Sequence, residues 1–240
     1  KKTPKKTYAP LLYDLTELQR EANQRFGYSA KETLNIMQRL YENHKVLTYP
    51  RTDSRYLSKD IVPTIKDRLE ACGTGPYRKL AMTAKKKDLS GKLAFVNDAK
   101  VSDHHAIIPT EQFVDLNHMT NEERKIYDLV VRRFLAVLYP PFEYEQTQVT
   151  VKVGGETFLA SGKIVKAQGW RAAYEEEVYS AEDEEEEEAY ESGKSLKGQT
   201  LPELEKGQEI KGLVLSLTEG KTKPPAHFNE ATLLSAMENP

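Results

Sequence analysis

A tyrosine stands two residues before an arginine in the stretch 47–57, which reads LTYPRTDSRYL. Threonine, serine, aspartate and arginine dominate this stretch and proline adds to its tendency to turn, so it is a poor candidate for a buried core segment. The pair Tyr49 and Arg51 suits attack on a phosphodiester, because a phenolate is a competent oxygen nucleophile. A free phenol has a pKa near ~10 and is almost fully protonated at neutral pH, but a neighbouring guanidinium favours the phenolate and can bind phosphate oxygens. For this motif alone, an ordinary turn with a half-exposed tyrosine remains the alternative.

A second stretch, 101–111, reads VSDHHAIIPTE and places two adjacent histidines before an extended run. Side chains alternate across an extended backbone, so at most one of His104 and His105 is expected to face a shared site. The functional role open to that histidine is a hydrogen bond to a phosphate oxygen near neutral pH, and a purely structural histidine is the alternative. The remaining histidines are too scattered for the ligand spacing of a zinc site: His44, His118 and His227.

Length and composition narrow the class of protein. The 240 residues suffice for one large or two modest domains. No apolar run reaches the ~18 residues of a membrane span, and no apolar segment follows the basic N-terminal residues, so neither a membrane protein nor a secretory signal is predicted. The single cysteine, Cys72, excludes an internal disulfide and suits a reducing compartment, with the cytoplasm as the expected location.

The charge is unevenly distributed, although the formal net charge is only −2. Lysine and arginine outnumber the acidic residues over residues 1–110, and the reverse holds over residues 173–240. The basic half carries both motifs described above. A basic surface of this kind indicates a polyanionic partner such as a nucleic acid.

The first half of the chain has helical periodicity, interrupted by capping signals and turns. Capping-box spacing predicts three helix starts: Asp14, Ser29 and Thr120. Gly27 is expected to end the first helix, and the helices on either side of it resemble a helix-turn-helix. Asp60 is predicted to cap a further helix, and Pro76 to start a basic helix that leads into the lysines at 85–87. That lysine run is interpreted as a solvated helix end in preference to a phosphate contact.

The second half of the chain changes to a period of two, which predicts antiparallel β structure. Residues 146–153 and 157–165 are predicted strands joined by a hairpin at Gly154 and Gly155, and residues 210–217 are a further predicted strand. The glutamate-rich stretch 174–193 is interpreted as a mobile loop in preference to a metal site, because repulsion within it disfavours packing.

Three motifs together resemble the type IA DNA topoisomerases, and most closely the bacterial topoisomerase III group. They are YPRTDS at 49–54, SDHHAIIPT at 102–110 and DLTELQREAN at 14–23. The stretch TKPPAHFNEATL at 222–233 is similar to the segment by which that family re-enters its arch domain. The resemblance covers nearly the whole chain, with the motifs in the order and approximate spacing of the family.

The resemblance implies an α+β fold in which a helical, helix-turn-helix-like nucleophile domain is followed by an antiparallel β hinge domain. Its expected divisions are an extended leading segment at 1–9, the helical domain at 10–140, the hinge domain at 141–220, and the start of the arch domain at 221–240. Unpaired strand edges in the β part would be a site for self-association.

Site residues follow from the resemblance. Tyr49 matches the nucleophile that attacks a single DNA strand and holds the 5′ phosphate as a phosphotyrosine. Arg51 matches the arginine that contacts the scissile phosphate, and His104 matches the histidine that hydrogen-bonds the phosphate near the cleavage site. Thr52 and Asp53 match motif residues expected mainly to hold the loop. The implied DNA-binding set is Arg51, Thr52, Asp53, Arg55 and His104, with no metal ligand among these residues.

The family also carries a Toprim domain that binds Mg²⁺ and acts on the leaving oxygen, and no segment of this chain resembles it. The expected partners are therefore single-stranded DNA and a Toprim domain of the same protein, with no cofactor bound by this chain and no membrane. The implied location is the cytoplasm of a bacterium, in association with the nucleoid. The isolated chain is expected to bind DNA without turnover.

Two other function classes stay open. In one, the chain is a non-catalytic helix-turn-helix DNA-binding module in which Tyr49 and His104 only contact phosphate. In the other, it is a structural or interaction fragment that uses the acidic stretch as a docking tail. Covalent attachment of DNA at Tyr49 separates the first class from the topoisomerase hypothesis, and salt-insensitive, weak DNA affinity would favour the second.

Overall fold

The computed structural model describes residues 1–174, 201, 204–209, 212, 214–217, 219–222 and 224–238. The described part contains six α-helices and one three-stranded sheet. The helices are α1 (Leu15–Phe26), α2 (Ala30–Glu42), α3 (Ile65–Cys72), α4 (Arg78–Ala84), α5 (Asn121–Ala136) and α6 (Glu230–Glu238). The strands are β1 (Lys2–Thr7), β2 (Phe142–Val153) and β3 (Glu156–Ala167). The predicted α+β class is confirmed.

The three predicted helix starts are all present, because each is set by a local side-chain cap. The Asp14 carboxylate accepts a hydrogen bond from the Glu17 amide at 2.7 Å. Ser29 and Thr120 each form a reciprocal capping box with the glutamate three positions later. Gly27 ends α1 in the left-handed region with a φ of 70°, a conformation that glycine adopts without penalty.

The sheet has the order β1-β2-β3 and is antiparallel throughout. The hairpin between β2 and β3 turns at Gly154 and Gly155, which both have positive φ, as a tight two-residue hairpin requires. Both predicted strands are present and longer than predicted, and β1 adds a third by pairing along Phe142–Thr147. The further strand predicted at 210–217 is not formed at residues 214–217, which have no regular structure, while residues 210, 211 and 213 lie outside the described residues.

The helix predicted from Asp60 was placed too early. Lys59–Thr64 forms a 3₁₀ segment containing Pro63, and the α-helix starts only at Ile65. Proline disfavours the α conformation of the residue before it, here Val62, which accounts for the delayed start. The basic helix likewise starts at Arg78, after a 3₁₀ turn at Gly75–Tyr77, and ends at Ala84, before the lysine run.

Helix α5 forms the centre of the core and is buried along most of its length. Helices α1, α2 and α4 pack against it, and together they enclose the extended segments on which the two sequence motifs lie. The buried apolar residues of α5 are Ile126, Tyr127, Leu129, Val130, Val131, Phe134, Leu135 and Ala136. Burial of a large apolar side chain stabilises the fold by roughly 1.5–3 kcal/mol each before entropy is counted.

Helix α6 packs against α1, the helix that also supports the loop at residues 47–57, called the Tyr49 loop below. The Ala231 amide donates to the Asn23 side chain at 3.3 Å, and the Ala30 amide donates to the Glu230 carboxylate at 2.7 Å. The acidic loop predicted at 174–193 lies outside the described residues apart from Tyr174, and the domain boundaries stay predictions. Over the described part of the chain, no helix is both long enough and apolar enough to cross a lipid bilayer.

A 3₁₀ turn at Gly169–Ala173 joins the sheet to the helices. The Trp170 indole donates to the Thr7 carbonyl at 3.0 Å, and the Trp170 amide donates to the Pro140 carbonyl at 2.9 Å. This approach is possible because residue 169 has no side chain. A Cβ at Gly169 would lie 2.1 Å from the Pro141 carbonyl oxygen, and the φ of Gly169 is +50°.

We therefore expect Gly169→Ala to lower the free energy of unfolding by about 2 kcal/mol or more, because the methyl group meets rigid backbone and the φ is strained. Urea unfolding followed by circular dichroism measures the change. Gly91→Ala is the matched control, because a Cβ at Gly91 meets no atom within 4 Å. Equal stability of the two variants would contradict the close approach.

Candidate active site

Paired backbone and side-chain hydrogen bonds attach the Tyr49 loop to residues 101–111, the stretch with the two histidines, which is called the histidine segment below. Leu47 forms an isolated antiparallel bridge with Pro109. The Thr48 amide donates to the Ile108 carbonyl at 3.0 Å, and the Thr48 hydroxyl accepts from the Ile108 amide at 3.0 Å. These contacts fix the backbone immediately before Tyr49 relative to the segment that carries His104.

Two buried hydroxyls hold the loop after Tyr49. Thr52 donates from its hydroxyl to the His104 carbonyl at 2.8 Å and accepts from the Ser54 amide at 3.1 Å. The Ser54 hydroxyl donates to the Lys100 carbonyl at 2.7 Å. Thr52 and Ser54 are only 7% and 4% exposed, so their polar atoms are used inside the protein. This arrangement supports the expectation that Thr52 holds the loop.

The segment just before α1 supports both halves of the site. The Leu15 amide, an unpaired donor of the first helical turn, donates to the Thr52 carbonyl at 3.0 Å. The Arg55 guanidinium donates to the Leu12 carbonyl at 3.2 Å, and the Ile107 amide donates to the Tyr13 carbonyl at 2.8 Å. The tyrosine loop and the histidine segment are therefore held against one common strand-like segment.

Aromatic rings surround the phenol ring of Tyr49 on two sides. The ring centroids of Tyr49 and His104 are 4.4 Å apart with an angle of 41° between the planes. Tyr41, in the last turn of α2, meets Tyr49 edge-on at 5.6 Å and 80°. Tyr49 is half-buried while His104 is exposed. A ring fixed in this way presents its hydroxyl with less rotational freedom than a tyrosine in an open turn.

Arg51 and Asp53 are the exposed residues of the loop. Asp53 accepts a hydrogen bond from the Ser102 hydroxyl at 3.2 Å, which adds a contact to the histidine segment. Among the contacts of the described residues, Arg51 has neither a hydrogen bond nor an ion pair, so its guanidinium is available to an anion. Arg55, in contrast, is half-buried and donates to backbone, with Glu17 3.9 Å away.

The structure thus brings Tyr49 and His104 together and leaves Arg51 exposed on the same loop. Thr52 and Arg55, which the resemblance implied as DNA contacts, have their polar groups directed to the backbone of the protein. Sequence reasoning missed the contact of Tyr41 with Tyr49, because an aromatic residue at helical spacing is typical of the apolar face of a helix. The position of Tyr41 in the last turn before the loop was the only available signal.

His105 is half-buried and hydrogen-bonds to the protein backbone. Its Nδ1 lies 2.7 Å from the Ala106 carbonyl, which can only accept, so Nδ1 carries the proton. Burial lowers the pKa of His105 from its ordinary value of 6.5, and the positive charges of Arg68 and His104 lower it further, against the hydrogen bond to Ala106 and the charge of Asp60. Of the two histidines, His104 makes the ring contact with Tyr49 and His105 bonds to the adjacent backbone, which agrees with the expectation that at most one faces a shared site.

We expect stability to fall as the pH drops below about 6.5, because the unfolded chain takes up a proton at His105 more readily than the folded chain. The contribution is fully present above the unfolded-state pKa and is lost as the pH falls to the lower folded-state pKa. His105→Gln should therefore lose less stability between pH ~7.5 and pH ~5 than the parent chain, measured by urea unfolding at both values. His118→Gln is the control, because the side chain of His118 is 81% exposed. An unchanged pH dependence in His105→Gln would contradict this account.

The resemblance to the topoisomerases implies Mg²⁺, which needs several oxygen ligands close together. Within the described ranges, no group of three or more histidine, cysteine, aspartate or glutamate side chains could hold a metal ion. The carboxylate of Asp53, an acidic residue of the site, already accepts a hydrogen bond from the Ser102 hydroxyl. The residues present here do not fit a magnesium site, and no step through a metal is derived for them.

Comparison with known proteins identifies the family of the chain. The family model described as "DNA topoisomerase" matches residues 1–240. The chain is 58% identical over 240 residues to DNA topoisomerase 3 of Bacillus licheniformis and 57% identical over 240 residues to that of Bacillus subtilis. It is covered completely in both alignments and spans 32% of each relative.

A solved structure shares the fold. Full-length topoisomerase I from Thermotoga maritima superimposes with a TM-score of 0.69 and 24% sequence identity, over 99% of this chain and 36% of the other. At that identity the likeness supports the fold alone, whereas the family model and the Bacillus relatives cover every residue of the chain. The chain belongs to the DNA topoisomerase family, as a fragment of a type IA enzyme.

Proposed function

We propose that Tyr49 is the nucleophile of a type IA DNA topoisomerase and attacks a phosphodiester of single-stranded DNA. Arg51 binds the non-bridging oxygens of the scissile phosphate, and His104 donates a hydrogen bond to the same phosphate or its neighbour. The observation that carries this proposal is the contact of the Tyr49 ring with His104 at 4.4 Å, with the exposed Arg51 on the same loop.

The proposed cleavage is a transesterification. A bond forms between Tyr49 Oη and phosphorus, the bond from phosphorus to the 3′ oxygen breaks, the phenol proton is released, and the 3′ oxygen takes up a proton. One phosphodiester replaces another, so the step is nearly isoenergetic and reverses when the 3′ hydroxyl attacks the phosphotyrosine. The break persists long enough for strand passage, and rejoining needs no ATP.

Tyr49, Arg51 and His104 account for the nucleophile and for charge neutralisation, but not for protonation of the leaving oxygen. We propose that the group that protonates the leaving oxygen, and any Mg²⁺, is supplied by other parts of the whole protein, such as a Toprim domain. The isolated chain then binds single-stranded DNA without turnover. The whole protein is proposed to act in the bacterial cytoplasm on nucleoid DNA.

Covalent trapping tests the proposal. The corresponding segment of Bacillus subtilis DNA topoisomerase 3 is replaced by this chain, and the chimaera and the isolated chain are each incubated with a 3′-labelled oligonucleotide and Mg²⁺. On a denaturing gel we expect labelled protein from the chimaera only. If the chimaera binds the oligonucleotide but forms no adduct, the assignment of Tyr49 as the nucleophile is overturned. If the isolated chain forms an adduct, the need for other segments of the protein is overturned.

Arg51→Ala in the chimaera should lower the rate of cleavage by about 10²–10³-fold, because one charged donor to the developing charge is removed. The dissociation constant for the oligonucleotide should change by less than ~10-fold, because other phosphates are still bound. Single-turnover cleavage and fluorescence anisotropy measure the two quantities separately. Lys31→Ala, at an exposed lysine of α2, is the control. If Arg51→Ala lowered the affinity and the cleavage rate by the same factor, Arg51 would contribute to DNA binding and not specifically to the transition state.

The non-catalytic helix-turn-helix module has one observation in its favour. Helices α1 and α2 are joined by the short turn Gly27–Ser29, and both start with strong caps. However, the start of α1 is also occupied in holding the Thr52 carbonyl, so this helix pair serves the Tyr49 loop as a scaffold. DNA binding with no adduct in any chimaera would favour the module.

A further inference from the structure

One face of α4 carries cations and an exposed methionine. Arg78, Lys79, Met82 and Thr83 lie on this face and Lys86 follows just after the helix; we call these five residues the α4 surface, and all five are exposed. The opposite face of the helix is buried, with Ala81 at 4% and Ala84 at 3% exposure. The helix is thus anchored by its small apolar residues and directs its basic residues outward.

The cations of the α4 surface are not neutralised by nearby carboxylates. Within the described part of the chain, Arg78, Lys79 and Lys86 have no ion pair and no side-chain hydrogen bond. Lys85, which lies outside the α4 surface, contrasts with them because it pairs with Glu70 at 2.7 Å. Three unpaired cations on one short surface repel each other and favour a polyanion as their partner.

The α4 surface is also concave. Together with Gly75 and Pro76 it lines an open depression of about 420 Å³, and no acidic residue is among the lining residues. Met82 is 64% exposed, and its flexible, polarisable side chain suits contact with the flat face of a base. Proteins that bind single strands combine cations that neutralise phosphates with side chains that contact bases, which are mostly aromatic, and on this surface Met82 is the polarisable apolar side chain.

This surface is separate from the site around Tyr49. Helix α4 packs against α3 and α5. Helix α3 in turn contacts the histidine segment, where Arg68 donates to the Pro109 carbonyl at 2.9 Å. Helix α3 therefore contacts both α4 and the segment that carries His104. The residues of the α4 surface are not among those that hold or surround Tyr49, so DNA bound at the Tyr49 loop does not account for the cations of α4.

We propose that the α4 surface is a second binding site for single-stranded DNA, which contacts the sugar-phosphate backbone through Arg78, Lys79 and Lys86 and a base through Met82. The choice of single-stranded DNA as the polyanion rests on the proposed function, whereas the position of the site does not. A strand that leaves the cleavage site has a second place to bind, so the surface contributes to the affinity for long strands and not to the chemistry at Tyr49.

The test compares two charge reversals of equal size in the complete chain. Lys79→Glu/Lys86→Glu alters the α4 surface, and Lys152→Glu/Lys166→Glu, at lysines of the β2–β3 hairpin, is the matched control. Fluorescence anisotropy gives the affinity for oligonucleotides of about 8 and about 30 nucleotides, a range that brackets the size of one single-strand site. Circular dichroism and thermal unfolding establish that each variant is folded.

We expect Lys79→Glu/Lys86→Glu to weaken binding of the long oligonucleotide by about 10-fold or more. The slope of log affinity against log salt should fall by about 1.4, or about 0.7 for each phosphate that the protein no longer neutralises. The short oligonucleotide should be bound as by the parent chain, and the control variant should weaken binding by less than about 3-fold with either. Met82→Ala should weaken long-strand binding without changing the salt slope.

Equal losses in the two double variants, or an unchanged salt slope in Lys79→Glu/Lys86→Glu, would overturn the second site. The proposed function is judged separately, because the chimaera with Lys79→Glu/Lys86→Glu should still form an adduct on a short oligonucleotide. Absence of that adduct from the chimaera with an unaltered α4 surface would instead count against Tyr49. Binding of double-stranded DNA in preference to single-stranded DNA by the α4 surface would also overturn the proposal.

Discussion

Tyr49→Phe should abolish the covalent DNA adduct of the chimaera, lowering its yield by on the order of 10³-fold or more, because the attacking oxygen itself is removed. The ring remains, so the contacts with His104 and Tyr41 are retained and the fold is unaffected. Denaturing gels with a 3′-labelled oligonucleotide measure the adduct, and anisotropy measures binding. Binding should stay within about 3-fold of the parent, because the phosphate contacts of Arg51 and His104 are kept.

Two neighbouring tyrosines supply matched controls. Tyr41 touches the Tyr49 ring, and Tyr56 lies at the end of the same loop with its hydroxyl 3.4 Å from Lys100 Nζ. Tyr41→Phe and Tyr56→Phe should retain the adduct. An adduct that survives Tyr49→Phe but disappears in either control would transfer the nucleophile role to that residue.

The second large effect concerns a buried ion pair beneath the site. Arg133 of α5 and Glu21 of α1 are 5% and 6% exposed, and their charged groups lie 2.6 Å apart. Arg133 also donates to the Leu11 carbonyl at 3.1 Å and to the Tyr174 hydroxyl at 3.1 Å, and Tyr13 donates to Glu21. This network anchors residues 11–13, the segment that supports the Tyr49 loop and the histidine segment.

Arg133→Met should lower the free energy of unfolding by about 3–5 kcal/mol, because the buried Glu21 carboxylate loses its closest cation and, among the described residues, keeps only Arg25 as a cationic partner. Urea unfolding measures the change. Arg124→Met, at an exposed position of the same helix, should cost less than ~0.5 kcal/mol.

Replacing both members of the pair separates charge from packing. Glu21→Met combined with Arg133→Met should recover a large part of the stability that Arg133→Met removes, because the Glu21 carboxylate is then no longer buried without Arg133. A decrease below ~1 kcal/mol in Arg133→Met alone would show that water reaches Glu21 and that the pair does not anchor the segment.

The parts of the fold that sequence reasoning predicted correctly are those set by local interactions. The capping boxes at Ser29 and Thr120 and the glycine pair at 154 and 155 depend on residues within a few positions of one another. The helix predicted from Asp60 begins later, at Ile65, because Pro63 disfavours the α conformation of the residue before it. Strand β1 was missed because its pairing with β2 joins residues that are distant in sequence.

The same division applies to the site. Residue type and spacing identified Tyr49, Arg51 and His104 as candidates, but the contact between Tyr49 and His104 depends on the Leu47–Pro109 bridge, which no local pattern predicts. Glu21 and Arg133 resemble solvent-exposed charges of amphipathic helices until tertiary packing buries them against each other. The lysine run at 85–87 was interpreted as a solvated helix end, and all three lysines are exposed just after α4 ends. What no local pattern predicts is that Lys86 lines one depression together with Lys79 and the exposed Met82.

The central claim is that a single phenol, that of Tyr49, forms the bond to DNA, and mapping the attachment site tests it most directly. The adduct of the chimaera is digested with nuclease and trypsin, and mass spectrometry identifies the tyrosine that carries the remaining nucleotide. The account predicts the nucleotide on Tyr49, within the tryptic peptide 46–51. Attachment at any other of the 13 tyrosines of this chain, or at a residue contributed by the Bacillus segments, would contradict it.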